Sequence, residues 1–295
     1  MCLAVIALDA HPRYRIVIAA NRDEFHARPA APAHWWTSGM LAGQDLIGGG
    51  AWFGVARSGR WALVTNYREG IPRDPGAPSR GELVTGALLD SSPPLLCAAA
   101  IARDGTRYHG FNLLVGEITD LPHSSSQGGR DTREPSPDDR SSAAYVSNRA
   151  SGAIALSAGI HGLSNHLLET PWPKLVRSKA RLADALDGEE LDSAAVFTLL
   201  ADREPADDAI LPMTGVSRER ERMLSSAFIV SPDYGTRCST VFTLARDGSA
   251  HFVERSFDAA GDMTGETAHV FTVAAPVHQG RQKANEAIWR PRIDQ

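Results

Sequence analysis

The sequence has few cysteines, no long apolar segment and no surplus of positive charge, and each absence excludes a class of protein. Its 295 residues contain three cysteines, Cys2, Cys97 and Cys238, which are odd in number and widely spaced. That spacing is unlike a disulfide framework, and no Cys-x-x-Cys pair indicates a zinc or thiol-exchange site. We therefore expect a protein of a reducing compartment, the cytoplasm.

Membrane insertion and nucleic-acid binding are disfavoured on similar grounds. The longest apolar runs, such as RIVIAA, are far shorter than the ~20 residues that a membrane-spanning helix needs. The first residues carry no cationic leader of the signal-peptide kind. The formal net charge is -5, which does not favour a polyanionic partner. We predict a protein that is not integral to the membrane and binds no nucleic acid.

Apolar runs rich in β-branched residues occur in pairs at both ends of the chain. LAVIAL and YRIVIAA are joined by the turn-like DAHPR. Apolar and polar residues do not alternate regularly within these runs, which indicates strands buried on both faces. Helical patterns lie between the paired strands, at SRGELVTGALLD with a Ser79/Glu82 capping box and at TPWPKLVRSKARLADALDG with Thr170 as a candidate cap. This order predicts an α+β fold in which two packed sheets are covered by helices.

Two polar segments define the predicted domain organisation. Residues 119–143 are rich in Ser, Gly, Pro and charge, and residues 277–295 are polar as well. We predict one domain over residues 1–276, with 119–143 as a mobile insertion within it and 277–295 as a tail.

Cys2 directly follows Met1, and the polar segment ANRDEF ends the second predicted strand. An antiparallel hairpin between the first two strands brings residues 21–24 back beside residue 2. If Met1 is removed, the α-amine of Cys2 can act as a general base near neutral pH, and its thiol as a nucleophile. Asp23 would orient that amine. The alternative is that Cys2 is an ordinary strand residue and ANRDEF a charged strand end.

Three further polar residues interrupt apolar runs: Asn66, Asn165 and Arg237. An asparagine amide can donate a hydrogen bond to developing negative charge, and an arginine can bind a carboxylate or phosphate. Asparagines at strand ends are also typical of turns, and an arginine there can form a structural ion pair. Both interpretations stay open for each residue.

Several blocks of the sequence match one family in the right order: MC, AANRDEF, GGGAWFG, LVTNYRE, SRGELV, YHGFNLLVG, GIHGLSNHLLETPWPK, YGTRCSTVF and ERSF. On these blocks the chain resembles the NRDE family, also called the transport and Golgi organization 2 family, along nearly its whole length. The segment 119–143 and the polar C-terminus fall outside the resemblance.

That family in turn resembles the cysteine-type N-terminal-nucleophile hydrolases, such as bile-salt hydrolases and penicillin V acylases. The resemblance implies a four-layer αββα sandwich with Cys2 as nucleophile. The other catalytic positions that it implies are Asp23, Asn66, Asn165 and Arg237. One departure stands out, because those hydrolases place an arginine and then an asparagine just before the aspartate. Here Ala20 takes the place of that arginine, and Arg22 lies nearby.

The family resemblance also implies a role in intracellular haem trafficking or in acyl-CoA or lipid handling. We therefore expect a carrier that binds haem, or a similar amphipathic cargo, in the cleft of the sandwich, without a catalytic metal. Its expected contacts are His161, His166, Asn21 and Arg22, and its expected apolar walls are Trp35, Trp36, Trp52 and Phe53. The alternative is a Cys2-dependent hydrolase of an amide, ester or acyl-CoA thioester bond. A third hypothesis is a scaffold with a vestigial site.

Overall fold

Two antiparallel β-sheets face each other in a computed structural model that describes residues 2–70, 74, 76–118 and 143–273. Its strands are β1 (Cys2–Leu8), β2 (Tyr14–Phe25), β3 (Ala30–Trp35), β4 (Met40–Asp45), β5 (Phe53–Ala56), β6 (Trp61–Asn66), β7 (Phe111–Gly116), β8 (Ala143–Ser147), β9 (Ala153–Ala155), β10 (Gly159–Leu163), β11 (Tyr234–Ala245), β12 (Ser249–Phe257) and β13 (Met263–Thr272). Its α-helices are α1 (Gly81–Leu89), α2 (Pro94–Asp104), α3 (Pro173–Ala185), α4 (Ser193–Leu200) and α5 (Arg218–Met223).

The first sheet joins strands from both ends of the chain. Its order is β10-β1-β2-β11-β12-β13, so the two predicted hairpins meet where β2 pairs with β11. The second sheet runs from β3 to β9 in sequence order. Both sheets pair antiparallel throughout the described register, which lets short turns join most neighbours.

Each sheet buries both of its faces, which explains why apolar and polar residues do not alternate regularly along the strands. In β1, Ala4 and Ile6 face the other sheet, whereas Leu3 and Val5 face the helices. The apolar layer between the sheets includes Phe53, Trp61 and Phe242, while α1 and α2 cover the second sheet and α3 and α4 cover the first. The layers therefore run α, β, β, α, and the predicted αββα sandwich is confirmed.

Some predicted segment boundaries differ from those in the structure, and other predicted segments lie outside the described residues. Residues 119–142 of the predicted insertion are not among those described, and Ala143 already begins β8. The tail at 277–295 is also outside them, so the division into domains stays a prediction. No helix in the described part of the chain has both the length and the apolar character needed to cross a membrane.

The predicted cap at Ser79 is formed in part, and the one at Thr170 is wrong. Ser79 Oγ accepts from the N–H of Gly81, the first residue of α1, at 3.3 Å, while the Glu82 N–H donates to the Ser79 carbonyl at 3.0 Å. Helix α3 begins at Pro173, where the fixed φ of proline suits the first turn. Thr170 lies before that start and donates its hydroxyl to the Leu167 carbonyl.

Candidate active site

The β1–β2 hairpin places Cys2 directly opposite Arg22, as expected from the sequence. Residues opposite each other in an antiparallel pair project on the same side of the sheet. Asp23 follows on β2, and its partner on the other side is Thr236 of β11. The thiol, the guanidinium and the carboxylate are thus fixed by main-chain pairing at one end of the first sheet.

These residues line a cleft of about 530 Å³. Cys2, Arg22 and Asp23 come from the first sheet, while Asn66 ends β6 of the second sheet and Trp52 directly precedes β5. A volume of several hundred Å³ is typical of a small-molecule site. The half-buried Cys2 therefore lies where a small substrate can reach it.

Arg22 is held rigidly beside Cys2. Its side chain is 5% exposed, its Nη2 lies 3.0 Å from Asp45 Oδ2, and its guanidinium carbon lies 4.4 Å from the centre of the Trp52 ring. Arg28 Nε donates to the same Asp45 oxygen at 2.5 Å. Arg22 Nη1 is buried and makes no hydrogen bond within the described residues. This arginine therefore supplies a fixed positive charge, with one donor nitrogen that no described residue engages.

Burial controls the protonation of Asp23 and Cys2. Asp23 accepts from Thr236 Oγ1 at 2.7 Å, and desolvation raises the pKa of its carboxyl against the opposing charge of Lys174. Desolvation also raises the pKa of the Cys2 thiol, and the Asp23 charge adds to that effect. A hydrogen bond from the Asp23 N–H and the charge of Arg22 act in the opposite direction. At neutral pH Cys2 is consequently a thiol, and nucleophilic attack needs a base.

The two predicted asparagines have different positions. Asn66 lies at the end of β6 and lines the cleft. Asn165 is fully buried, and its Nδ2 donates to the Asn66 carbonyl at 3.0 Å. Its own carbonyl accepts from the Arg68 N–H at 2.8 Å. Asn165 therefore fixes the chain on both sides of Tyr67, and it contributes to the cleft by holding Asn66.

Arg237 and Asn21 are not brought to the cleft. Arg237 sits at the β-bulge of β11, and its Nη1 donates to the carbonyls of Phe25 and His26 at 3.2 and 2.9 Å. Asn21 faces the helical layer, where its Nδ2 donates to the carbonyls of Leu200 and Ala227 at 2.8 and 2.9 Å. Both side chains hold neighbouring backbone in place.

Comparison with known sequences assigns the chain to a protein family. The family model described as Transport and Golgi organisation 2 matches residues 1–259. The chain belongs to that family. The Bos taurus Transport and Golgi organization protein 2 homolog is 35% identical over 276 residues, which cover 87% of this chain and 93% of that protein. The Homo sapiens homolog is 33% identical over 275 residues with the same coverage. Transport and Golgi organization protein 2 of Drosophila melanogaster is 26% identical over 280 residues, covering 87% of this chain and 92% of that protein.

The chain is also similar to solved structures at low sequence identity. A Caenorhabditis elegans ortholog of N-acylethanolamine-hydrolyzing acid amidase has a TM-score of 0.45 and 10% identity, covering 83% of this chain and 93% of that one. The C2A mutant of conjugated bile acid hydrolase from Clostridium perfringens has a TM-score of 0.39 and 8% identity, with full coverage of both chains.

The histidines that the family resemblance suggests for haem lie outside the cleft. His161 is on β10 opposite Ile6, and its Nε2 lies 2.8 Å from the Ser157 carbonyl. His166 has both ring nitrogens in hydrogen bonds, to Tyr67 Oη at 2.8 Å and to Thr170 Oγ1 at 2.9 Å. In the described ranges no group of three or more His, Cys, Asp or Glu residues forms a candidate metal site. The haem contacts of this family member stay predictions.

Of the four aromatic residues expected to line the cleft, Trp52 alone does so. Trp52 lines the cleft under Arg22, whereas Phe53 is buried between the two sheets and Trp35 packs against that same layer. Trp36 packs with the cluster beneath α1 and α2. The cleft of this family member is accordingly lined largely by polar and charged side chains near Cys2.

Sequence reasoning missed Lys174 and Asp45. Lys174 is the second residue of α3 and is 1% exposed. Its signal in the sequence is a cation within the first turn of a helix, where the macrodipole disfavours positive charge. Asp45 ends β4, and nothing in its sequence surroundings links it to Arg22 across 23 positions.

Proposed function

We propose that this member of the Transport and Golgi organisation 2 family is an acyl hydrolase in which Cys2, exposed by removal of Met1, attacks an amide, ester or thioester carbonyl. One observation carries the proposal. Cys2 pairs with Arg22 in the hairpin register, and both line the cleft together with Asp23.

The protonation of the site supports a particular sequence of steps. Because burial raises the pKa of the Cys2 thiol, the resting group needs a base to become a thiolate. The free α-amine of residue 2 has an ordinary pKa of ~7.7–8, so it can accept that proton. The thiolate adds to the acyl carbon, the amine returns the proton to the leaving group, and water then cleaves the acyl thioester.

Arg22 and Asn66 are the groups best placed to stabilise the tetrahedral intermediate. Arg22 Nη1 is a buried donor without a hydrogen-bond partner in the described residues, on the side chain directly opposite Cys2. Asn66 lines the same cleft, where its amide can donate to a substrate, and its backbone carbonyl is held by Asn165. Preorganised donors of this kind stabilise charge that develops in the transition state.

The test begins with the intact mass of the purified protein, because loss of one methionine is required by this mechanism. A panel of acyl amides, esters and acyl-CoA thioesters then compares the wild type with Cys2→Ala. Cys97→Ala is the matched control, since Cys97 is a free, buried cysteine on α2 and does not line the cleft. We expect Cys2→Ala to lose turnover by about a thousandfold or more, and Cys97→Ala to keep it.

Two outcomes contradict the hydrolase. A retained Met1 blocks the amine, and equal turnover in the wild type and Cys2→Ala removes the nucleophile. Carriage of haem or another amphipathic cargo is tested on the same samples by following the Soret band on mixing. A carrier keeps its ligand affinity in Cys2→Ala, so the two functions give opposite results with that variant.

A further inference from the structure

Lys174 is an unusual buried cation. It lies in the first turn of α3, is 1% exposed, and its Nζ makes no hydrogen bond within the described part of the chain. Buried ammonium groups are normally paired or hydrogen-bonded, because removal from water without a partner is costly. The start of a helix is also the end at which the macrodipole disfavours a cation. A side chain needed for packing alone would not require this charge.

The position of Lys174 links it to Asp23. Side chains alternate along β2, so Asp23 shares the face of Asn21, which contacts the helical layer formed partly by α4. Helix α3 lies in the same layer and packs through Leu175 on β1. The Asp23 charge raises the pKa of Lys174, and Lys174 in return lowers the pKa of Asp23.

The other charged groups around Lys174 are accounted for. Cys2 interacts with it favourably as a thiolate, and Arg68 interacts with it unfavourably. Arg68 is itself occupied, because its Nη1 forms an ion pair with the buried Glu221 at 2.5 Å and its guanidinium stacks on Trp172. Asp23 is therefore the principal group that favours the charged form of Lys174. Desolvation outweighs these contributions and lowers the pKa of Lys174 to about 8.

We propose that Lys174 is a positioning residue of the Cys2 site, whose buried ammonium group favours the ionised form of Asp23, the form that accepts a hydrogen bond from the amine of residue 2. The proposal rests on the function proposed above, because only a free amine at residue 2 needs that acceptor. Lys174 acts through Asp23 and touches no reacting atom. Its charge is present at neutral pH and is lost as the pH rises through about 8.

The first test does not depend on turnover. In protein labelled with ¹³C-lysine, the Cε resonance absent from Lys174→Met identifies Lys174, and its titration is followed in the wild type and in Asp23→Asn. We expect a midpoint near 8 in the wild type and a lower midpoint in Asp23→Asn. A midpoint near the ordinary 10.5, or the same midpoint in both proteins, overturns the proposal. If Lys174→Met does not fold, Lys174→Arg serves for the assignment.

The second test uses the pH dependence of the hydrolysis that Cys2 supports. Without the lysine charge, the pKa of Asp23 rises, so the acidic limb of the profile for Lys174→Met moves up by about one pH unit or more. Lys174→Arg keeps a positive charge, so we expect the acidic limb of its pH profile to lie at the wild-type position. Lys179→Met is the control, because Lys179 is on the same helix, partly exposed and paired with Glu169. A uniform loss of rate with an unmoved limb indicates a structural role and overturns the proposal.

The two proposals fail in distinguishable ways. If the titration of Lys174 depends on Asp23 but no substrate is turned over, the hydrolase proposal is wrong. The electrostatic interaction between Lys174 and Asp23 is then still supported. If Cys2-dependent turnover is present while Lys174 titrates independently of Asp23, the role given to Lys174 is wrong and the hydrolase stands.

Discussion

Asp45→Asn is expected to destabilise the protein strongly, because Asp45 holds the buried Arg22. Its Oδ2 accepts from Arg22 Nη2 at 3.0 Å and from Arg28 Nε at 2.5 Å. Its Oδ1 accepts from the N–H groups of Ile47 and Gly48 at 3.1 and 2.8 Å. The asparagine can keep the bonds to the loop, but its amide nitrogen cannot accept from either guanidinium.

The size of the expected loss in unfolding free energy follows from the exposed fractions of the Arg22 and Arg28 side chains. Arg28 is 22% exposed and can regain hydration, whereas Arg22 is 5% exposed and keeps its charge in the fold. Removing one partner of a buried ion pair costs about 3–5 kcal/mol, and the lower value fits because one arginine recovers water. We expect the free energy of unfolding to fall by about 3 kcal/mol and Cys2-dependent turnover to fall with it, since Arg22 loses its anchor.

The assay is urea unfolding at neutral pH, followed by fluorescence and circular dichroism. Asp208→Asn is the matched control, because Asp208 forms an ion pair with Arg222 at the surface, and we expect no measurable change there. A loss below about 1 kcal/mol in Asp45→Asn, the range of exposed pairs, would refute the view that Asp45 anchors Arg22.

Two further predictions concern the same wall of the cleft. Gly43→Ala places a Cβ 2.2 Å from the Trp52 ring that supports Arg22, so we expect a loss of about 1–3 kcal/mol in urea unfolding. Gly265→Ala, where no atom lies within 4 Å, should be neutral. The Asp45 carboxyl is desolvated, yet its bond from Arg28 contributes to a pKa below the ordinary 3.8. Its stabilisation is therefore complete above pH ~4 and lost as the pH falls through the folded pKa. The difference in stability between wild type and Asp45→Asn should shrink on acidification, and a constant difference contradicts this.

The pairing of Cys2 with Arg22 could be predicted because it depends on local information. A hairpin with a short turn has its register set by the turn and by the apolar pattern, so the end of β2 had to return beside residue 2. The αββα layers followed similarly from strands that are apolar on both faces. By contrast, β3 and β4 were not predicted.

The remaining site residues could not be predicted because they depend on contacts between distant segments. Asp45 meets Arg22 only after the second sheet is stacked on the first. Lys174 approaches Asp23 only after α3 docks on β1. Arg237 matched the family motif in sequence, but a β-bulge between Thr236 and Cys238 directs it toward backbone carbonyls of the turn after β2. A bulge changes the direction of a side chain without any clear sign in the sequence.

The departure from the hydrolase pattern at Ala20 has a structural explanation in the period of a strand. Side chains two residues apart project from the same face, so Ala20 and Arg22 both lie on the side of β2 that faces the second sheet. Ala20 is opposite Ala4 within the apolar layer, while Arg22 is opposite Cys2 at its end. An arginine at position 20 would place its charge between the sheets, whereas Arg22 lies opposite Cys2 and lines the cleft. In the hydrolase mechanism that we propose, Arg22 takes the place of that arginine, because it lies on the same face of the strand.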